Sequence, residues 1–485
     1  MRKIICIALS AALCVSALAG CSGESKKTSG NEKIYEIVWY DRGPSSADAP
    51  LVEAEATKYI QDKIGAKLKY QPIVGAEYDE KLQLALASGE KIDMCFTNAG
   101  NYYSNVINGA YLEIDELLDK YGKEAKALVP EYVLDGAKID GKLYAYPAYK
   151  DYAHENVFYY RQDLAEKYNL DMASMKTFKD LEPALKAIKE NEPDIYPMTF
   201  LPQMGPFHMM PYDTITGGVI GAVRYDKDDG KIINPFEQEE VKELLRTVHD
   251  FYKKGYLRPD IATTTSNADV QYTVFMNIYQ ELPYLVDQWN KTVTYPCAVW
   301  HGSEPHMNTA GIQGALMAIS RTSENPEKTM QFINLLNTDK YLRNLMAYGI
   351  EGKHYIASGE NFYKLPEGIK TIADTGYRSY VYTQGNKYLT RMIEGTPEDI
   401  YEKYQEFDTN ALKSPALGFI FDATDVTPEI TAVTNAYNEY MPAILSGAAD
   451  PDVYLPKALK SFKEAGLDRI LKEMQTQYDA WRKNK

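Results

Sequence analysis

Between Tyr35 and Thr97 short apolar runs alternate with amphipathic stretches, and this alternation restricts the fold more than any other feature. Tyr35–Tyr40 (YEIVWY) is β-rich and apolar, which predicts a buried first strand. Asp41-Arg42-Gly43-Pro44 ends it in a loop. Ser46 and Asp48 precede a helical pattern with Leu51, Val52, Ala56, Tyr59 and Ile60 on one face, closed by Gly65. Residues 66–71 predict a second strand, 77–88 a helix stopped by Gly89, and 92–97 a third strand. Strands and helices at this spacing predict βαβ units and a mostly parallel sheet. Ligands bind outside the carboxyl ends of strands in such sheets. Trp39, Tyr40 and Asp41 after the first strand, and Asn98, Asn101, Tyr102 and Tyr103 after the third, are therefore candidate ligand residues.

The first thirty residues read differently. Arg2 and Lys3 are followed by an almost unbroken apolar run from Ile4 to Ala19, then Leu18-Ala19-Gly20-Cys21 and a Ser/Gly/Lys-rich stretch. A positive start, a short apolar core and small residues before a cut site predict a signal peptide over residues 1–20. The core falls short of the ~20 residues a spanning helix needs. The Leu-Ala-Gly-Cys ending resembles the bacterial lipobox, which implies cleavage before Cys21, a lipid on its thiol and a location on the extracytoplasmic face of the cell membrane. Polar residues 21–33 then form a flexible tether.

Charge and cysteine usage narrow the function. The net charge is −15, or −17 once Arg2 and Lys3 are removed, which argues against nucleic acid. Of five cysteines only Cys95 and Cys297 lie beyond the signal and the lipid site, and both read as buried free thiols. Forty tyrosines against four tryptophans suit surfaces that meet amphipathic ligands such as sugars.

Further along, periodicity predicts helices over 164–191 and 237–254, and an irregular Pro- and Met-rich stretch over 193–211. Strands are predicted at Val270–Phe275, Tyr284–Val286 and Ala315–Ile319. A helix with Pro in its first turn follows over 326–336, and from about Thr396 the chain is largely helical.

A "G-K-x-Y-x-x-P" strand at Gly141–Pro147 enters a "Y-Y-R-x-D-L" segment at Tyr159–Leu164. With Thr177–Glu182, Tyr348–Tyr355, Gly418–Asp422 and the C-terminal Ala465–Trp481 region, this order resembles the extracellular solute-binding lipoproteins of ABC importers. The end resembles the C-terminal domain of unknown function carried by one branch of them. The resemblance implies a two-lobed α/β fold of the periplasmic-binding-protein type (type II), with an interdomain cleft and a helical C-terminal extension. The lobes are expected over 34–150 plus 285–345, and over 151–284 plus 346–485. The implied partners are a carbohydrate, chiefly an oligosaccharide, held in the cleft, and a permease; the chain is expected to work as a monomer without a cofactor. Aromatic faces and amide or carboxylate groups serve a sugar, so Asp151, Tyr152, Trp289, Trp300, Gln384 and Asn386 join the candidates.

Catalysis is not expected: no GxSxG, HExxH or phosphate-binding glycine loop has a supporting strand and helix. A secreted carbohydrate-active enzyme and a binder of a non-sugar solute such as a peptide are the alternatives, with a protein-interaction role for the C-terminal helices. His301 and His306 with Glu304 fall short of a metal set, so no metal is expected, and His354 has no ligand partner nearby.

Overall fold

The computed structural model describes residues 34–216, 220–264 and 273–485. The signal segment, Cys21 and the tether lie outside these residues, as does part of the strand expected at Val270–Phe275.

The first sheet grows from the alternating N-terminal pattern. β1 (Tyr35–Arg42), β2 (Ala66–Ile73) and β3 (Met94–Thr97) are parallel, with β1 in the middle of the three. Ile37 to Asp41 are all buried, as expected of a strand covered on both faces. α1 (Ala49–Ile64) buries Ala49, Val52, Ala56 and Ile60 along one stripe, and Gly65 caps it at φ +63°. α2 (Gly75–Ser88) crosses from β2 to β3. β4 (Ala145–Pro147) and a returning antiparallel strand at Leu316–Ile319 complete the order β2-β1-β3-(316–319)-β4. The core beneath it joins Ile37, Val52, Leu68, Phe96, Tyr146 and Phe332.

The second sheet comprises β5 (Glu155–Arg161), β6 (Tyr196–Thr199), β7 (Val274–Glu281) and β8 (Cys297–His301), in the order β8-β5-β7-β6. Its core holds Phe158, Leu185, Phe251, Phe275 and Trp300. A third core, built from the helices Thr427–Leu445, Pro451–Glu464 and Leu467–Asn484, packs against Val241 and Leu245. Among the described residues no helix is long and apolar enough to cross a membrane.

Several local expectations are corrected. Tyr284 lies at φ +64° and starts the helix Leu285–Asn290 rather than a strand. The helix expected over 164–191 is two, Gln162–Lys167 and Glu182–Asn191, with Asn169 at φ +52° between them. Residues 196–199, inside the stretch expected to be irregular, pair with β7. Cys95 is buried, but Cys297 is only half-buried. The lobe limits also differ: β8 pairs with β5, so 297–301 belongs to the second sheet, while Met346 and Tyr377 are buried in the first core. Local patterns carry no record of which sheet a strand will join.

Candidate functional site

Two passages of chain link the two sheets, and a third runs beside them towards the C-terminal helices. The first, 148–154, leaves the carboxyl end of β4 and enters β5. The second leaves β8 and runs through 302–315 to the strand Leu316–Ile319. His154 and His306 join these two by a pair of backbone hydrogen bonds, 3.0 and 2.9 Å. The third, Leu412–Lys413, runs parallel to His306–Met307. Asp408 fastens the bundle by accepting the backbone N–H groups of Tyr152 (3.0 Å) and Ala153 (2.8 Å). Asp213, from the second lobe, accepts from Ser414 Oγ at 2.6 Å and Asn308 Nδ2 at 3.1 Å.

A cavity of about 150 Å³ opens beside these crossings, lined by His154, Asn156, His208, Tyr225, Tyr279 and His306 among others. The His154 and His306 rings meet edge to face at 4.4 Å, and Tyr225 lies 4.6 Å from His306. Burial, with His306 beside it, pushes His154 down to about 3, and burial also lowers His208 and His306. His306 Nδ1 faces the Glu304 carbonyl at 3.0 Å, so that nitrogen carries the proton. The cavity is thus lined by neutral imidazoles, phenols and amides, groups that both donate and accept.

Tyr279 joins the cavity to an aromatic wall. Its ring lies 4.8 Å from Tyr159, and Trp289 meets Tyr159 at 5.8 Å and Tyr279 at 5.0 Å, edge to face. Trp289 is half-buried, and its indole N–H has no hydrogen-bond partner. At the foot of the wall Glu155 and Glu281 stand opposite each other on β5 and β7. Tyr159 donates to Glu281, and the exposed His301 ring lies 2.8 Å from Glu155. Burial raises Glu281, and its bond to Glu155 raises His301.

The structure separates the residues expected from sequence into two groups. Trp39, 1 % exposed, packs between Tyr70 and Phe332. Asp41 is fully buried and accepts from Tyr70 (2.8 Å) and Gln384 (2.6 Å); burial pushes its carboxyl up to about 6. Asn386 bonds the Asn337 carbonyl at 3.1 Å, and its own carbonyl receives Arg343. Tyr40 bonds Glu90, Tyr102 the Ala137 carbonyl, Tyr152 the Ala148 carbonyl and Trp300 the Met175 carbonyl. In this conformation all of these are buried packing or bracing groups. Asn98, Tyr103, Asp151 and Trp289 keep exposed surface; Asp151 pairs with Lys387, and Asn101 bonds Thr97 and Asp79. His354 lies 3.1 Å from Asp48. Among the described residues no group of three or more His, Cys, Asp or Glu side chains is placed to hold a metal.

Gly385 explains why the Tyr382–Asn386 loop is closed. It sits at φ +65°, and a Cβ there would lie 2.7 Å from the Leu336 carbonyl oxygen. Gly385→Ala is expected to cost about 2 kcal/mol or more by urea denaturation. A loss below about 0.5 kcal/mol would contradict this packing.

None of the cavity residues is among the ligand candidates expected from sequence, and His306 was weighed there only as a metal ligand. Met204 and His208 come from the Pro- and Met-rich stretch, and His154 and His306 from linking segments. The one available signal was methionine in an irregular segment, which suits adaptable binding surfaces.

Two α/β lobes joined by two crossings, with a polar cavity and an aromatic wall at the junction, define a protein that clasps a small solute between lobes. The model of the bacterial extracellular solute-binding protein family matches residues 55–358, and that of a domain of unknown function (DUF3502) matches 415–483. The chain belongs to the bacterial extracellular solute-binding protein family. It is 33% identical to a carbohydrate ABC transporter substrate-binding protein of Streptococcus pneumoniae, across 99% of this chain and 97% of that one. It is 24% identical to lipoprotein LipO of Bacillus subtilis, across 75% of each. The crystal structure of the N-glycan transport solute-binding protein NgtS of S. pneumoniae superposes with a TM-score of 0.83 at 30% identity, covering 93% of this chain and 99% of that one. The same protein in complex with Man1GlcNAc gives 0.72 at 30% identity, covering 92% of this chain and 99% of that one. In complex with Man5GlcNAc it gives 0.68 at 30% identity, covering 93% and 99%. The fold is the type II two-lobed architecture with a helical C-terminal extension.

Proposed function

We propose that this protein is the receptor of a carbohydrate ABC importer, holding an oligosaccharide at the lobe junction and passing it unchanged to a permease. The observation that carries this is the neutral histidine cavity running through Tyr279 into the Trp289 wall. Sugars need such a mixture of groups that both donate and accept and flat apolar faces. Asn98, Tyr103, Asp151 and Trp289 are the expected residues that keep surface for ligand. The fall in TM-score from 0.83 to 0.72 and 0.68 for the glycan complexes supports ligand-linked movement of the lobes. Cys21 carries the lipid anchor in this reading, and the chain acts as a monomer on the extracytoplasmic face.

Isothermal titration with Man1GlcNAc, Man5GlcNAc and control peptides tests the assignment. Glycan binding with recovery of intact glycan is the expected result; peptide binding without glycan binding would overturn it. Mass spectrometry of Cys21 tests the anchor. Burial holds His154 at about 3, so that ring stays neutral as pH falls from 8 to 6, and burial shifts His208 and His306 in the same direction; glycan affinity should vary less than about threefold between pH 8 and 7. A steep loss near pH 6.5, the ordinary histidine value, would show that the imidazoles titrate in the site.

A further inference from the structure

The cavity accounts for only part of a long ligand. Its volume of about 150 Å³ is below the ~300–1,000 Å³ of sites for drug-sized molecules. The remaining units must rest on surface elsewhere at the junction. The carboxyl edge of the first sheet is that surface, because the 148–154 crossing leaves from it. Most polar groups on this edge are already engaged: Asp41 holds Tyr70 and Gln384, and Asn101 bonds Thr97 and Asp79.

Arg42 at the end of β1 is not engaged. Its guanidinium lies 5.8 Å from the Phe96 ring centroid on one side and against Gly75 on the other, where an added Cβ would come within 3.4 Å. Its Nε–H is buried with no hydrogen-bond partner, and among the described residues no carboxylate or carbonyl receives the guanidinium. In the turn anchored on the neighbouring Asp41, Tyr380 and Tyr382 stack at 5.8 Å and 16°. Tyr382 is 44% exposed and close enough to Arg42 for that charge to offset part of the upward push of burial on its phenol. The turn carrying Tyr382 is anchored on the same edge through Thr383 and Gln384 to Asp41. A planar fork of donors beside an exposed aromatic stack suits a sugar ring, whose hydroxyl oxygens accept while its C–H face packs on the ring.

We propose that Arg42 and Tyr382 form a second sugar subsite on the first lobe, holding a pyranose unit distal to those in the cavity and thereby pulling the lobes together. This rests on the oligosaccharide reading above. The division of labour gives a length-dependent signature: a short glycan occupies the cavity side alone, and a longer one spans both lobes.

The test titrates native protein, Arg42→Gln and Tyr382→Ala with Man1GlcNAc and Man5GlcNAc, and follows closure by small-angle scattering. Each substitution is expected to lower affinity for the longer glycan by about tenfold or more, leave the shorter one within about twofold, and reduce compaction on binding. Both variants should fold, since Arg42 gives up no hydrogen bond and Tyr382 is exposed. Unchanged affinity of both variants for the longer glycan would overturn the subsite while leaving the oligosaccharide reading intact. Equal losses on both glycans would overturn it as well, by making these residues part of one undivided site. Native protein that binds neither glycan would overturn the reading and the subsite together.

Discussion

Trp289→Ala is expected to weaken oligosaccharide capture by about a hundredfold, the loss seen when a central aromatic anchor of a binding site is removed. The ring stands edge to face on Tyr159 and Tyr279, and Tyr279 also lines the cavity. Truncation removes the end of the wall and lets water reach Glu281, which Tyr159 holds in a desolvated place. Trp289→Phe keeps a flat face and should lose about tenfold or less. Titration calorimetry decides the matter, with thermal melting to establish that both variants fold. Affinity within about threefold of native for the alanine variant would remove Trp289 from the site.

Asp408 carries the second large effect, on the crossings themselves. Its carboxylate receives two backbone N–H groups of the first crossing, so Asp408→Ala leaves both without an acceptor. At ~1–3 kcal/mol for each orphaned group, a loss of about 3 kcal/mol is expected. Asp408→Asn keeps an acceptor and removes a buried charge. Burial pushes the folded-state value up to about 6 from the ordinary 3.8, so the folded chain takes up this proton before the unfolded chain does. The ionised group therefore costs stability above pH 6, and native protein recovers that cost as pH falls from about 6 to 4. At 1.36 kcal/mol per pH unit, native stability relative to Asp408→Asn should rise by about 2 kcal/mol between pH 7.5 and 4. The comparison cancels the opposite trend of His154, whose folded value near 3 makes stability fall as pH drops below the ordinary 6.5. Urea denaturation of the pair across this range checks the sign; a difference independent of pH would refute it.

Legibility differed sharply between fold and site. The βαβ alternation from Tyr35 to Thr97 was readable because strand and helix periods are local and Gly65 and Gly89 punctuate them. The second sheet was harder. β6 lies in a Pro- and Met-rich stretch and β8 in a segment with no strand pattern; both exist because β7 and β5 offer unpaired edges.

The candidate residues show the same limit. Trp39 and Asp41 do follow a strand, yet a position after a strand is either cleft or core depending on what packs over it. The loop carrying Gln384 comes from more than three hundred residues away and covers Asp41. Trp300 likewise looked free in sequence and is 4% exposed beneath Phe158. Trp289 kept its surface because its short helix stands outside the second core.

The amino-acid sequence by itself determined the α/β class, the first three strands and the family, because these rest on local periodicity and motif order. Only the tertiary structure decided which polar groups are spent on one another and which remain for a ligand. His154, His208 and His306 are far apart along the chain and share one cavity, while Asp41 and Gln384 are consumed in each other's company. Burial and pairing are properties of contacts distant in sequence, and no local pattern encodes them.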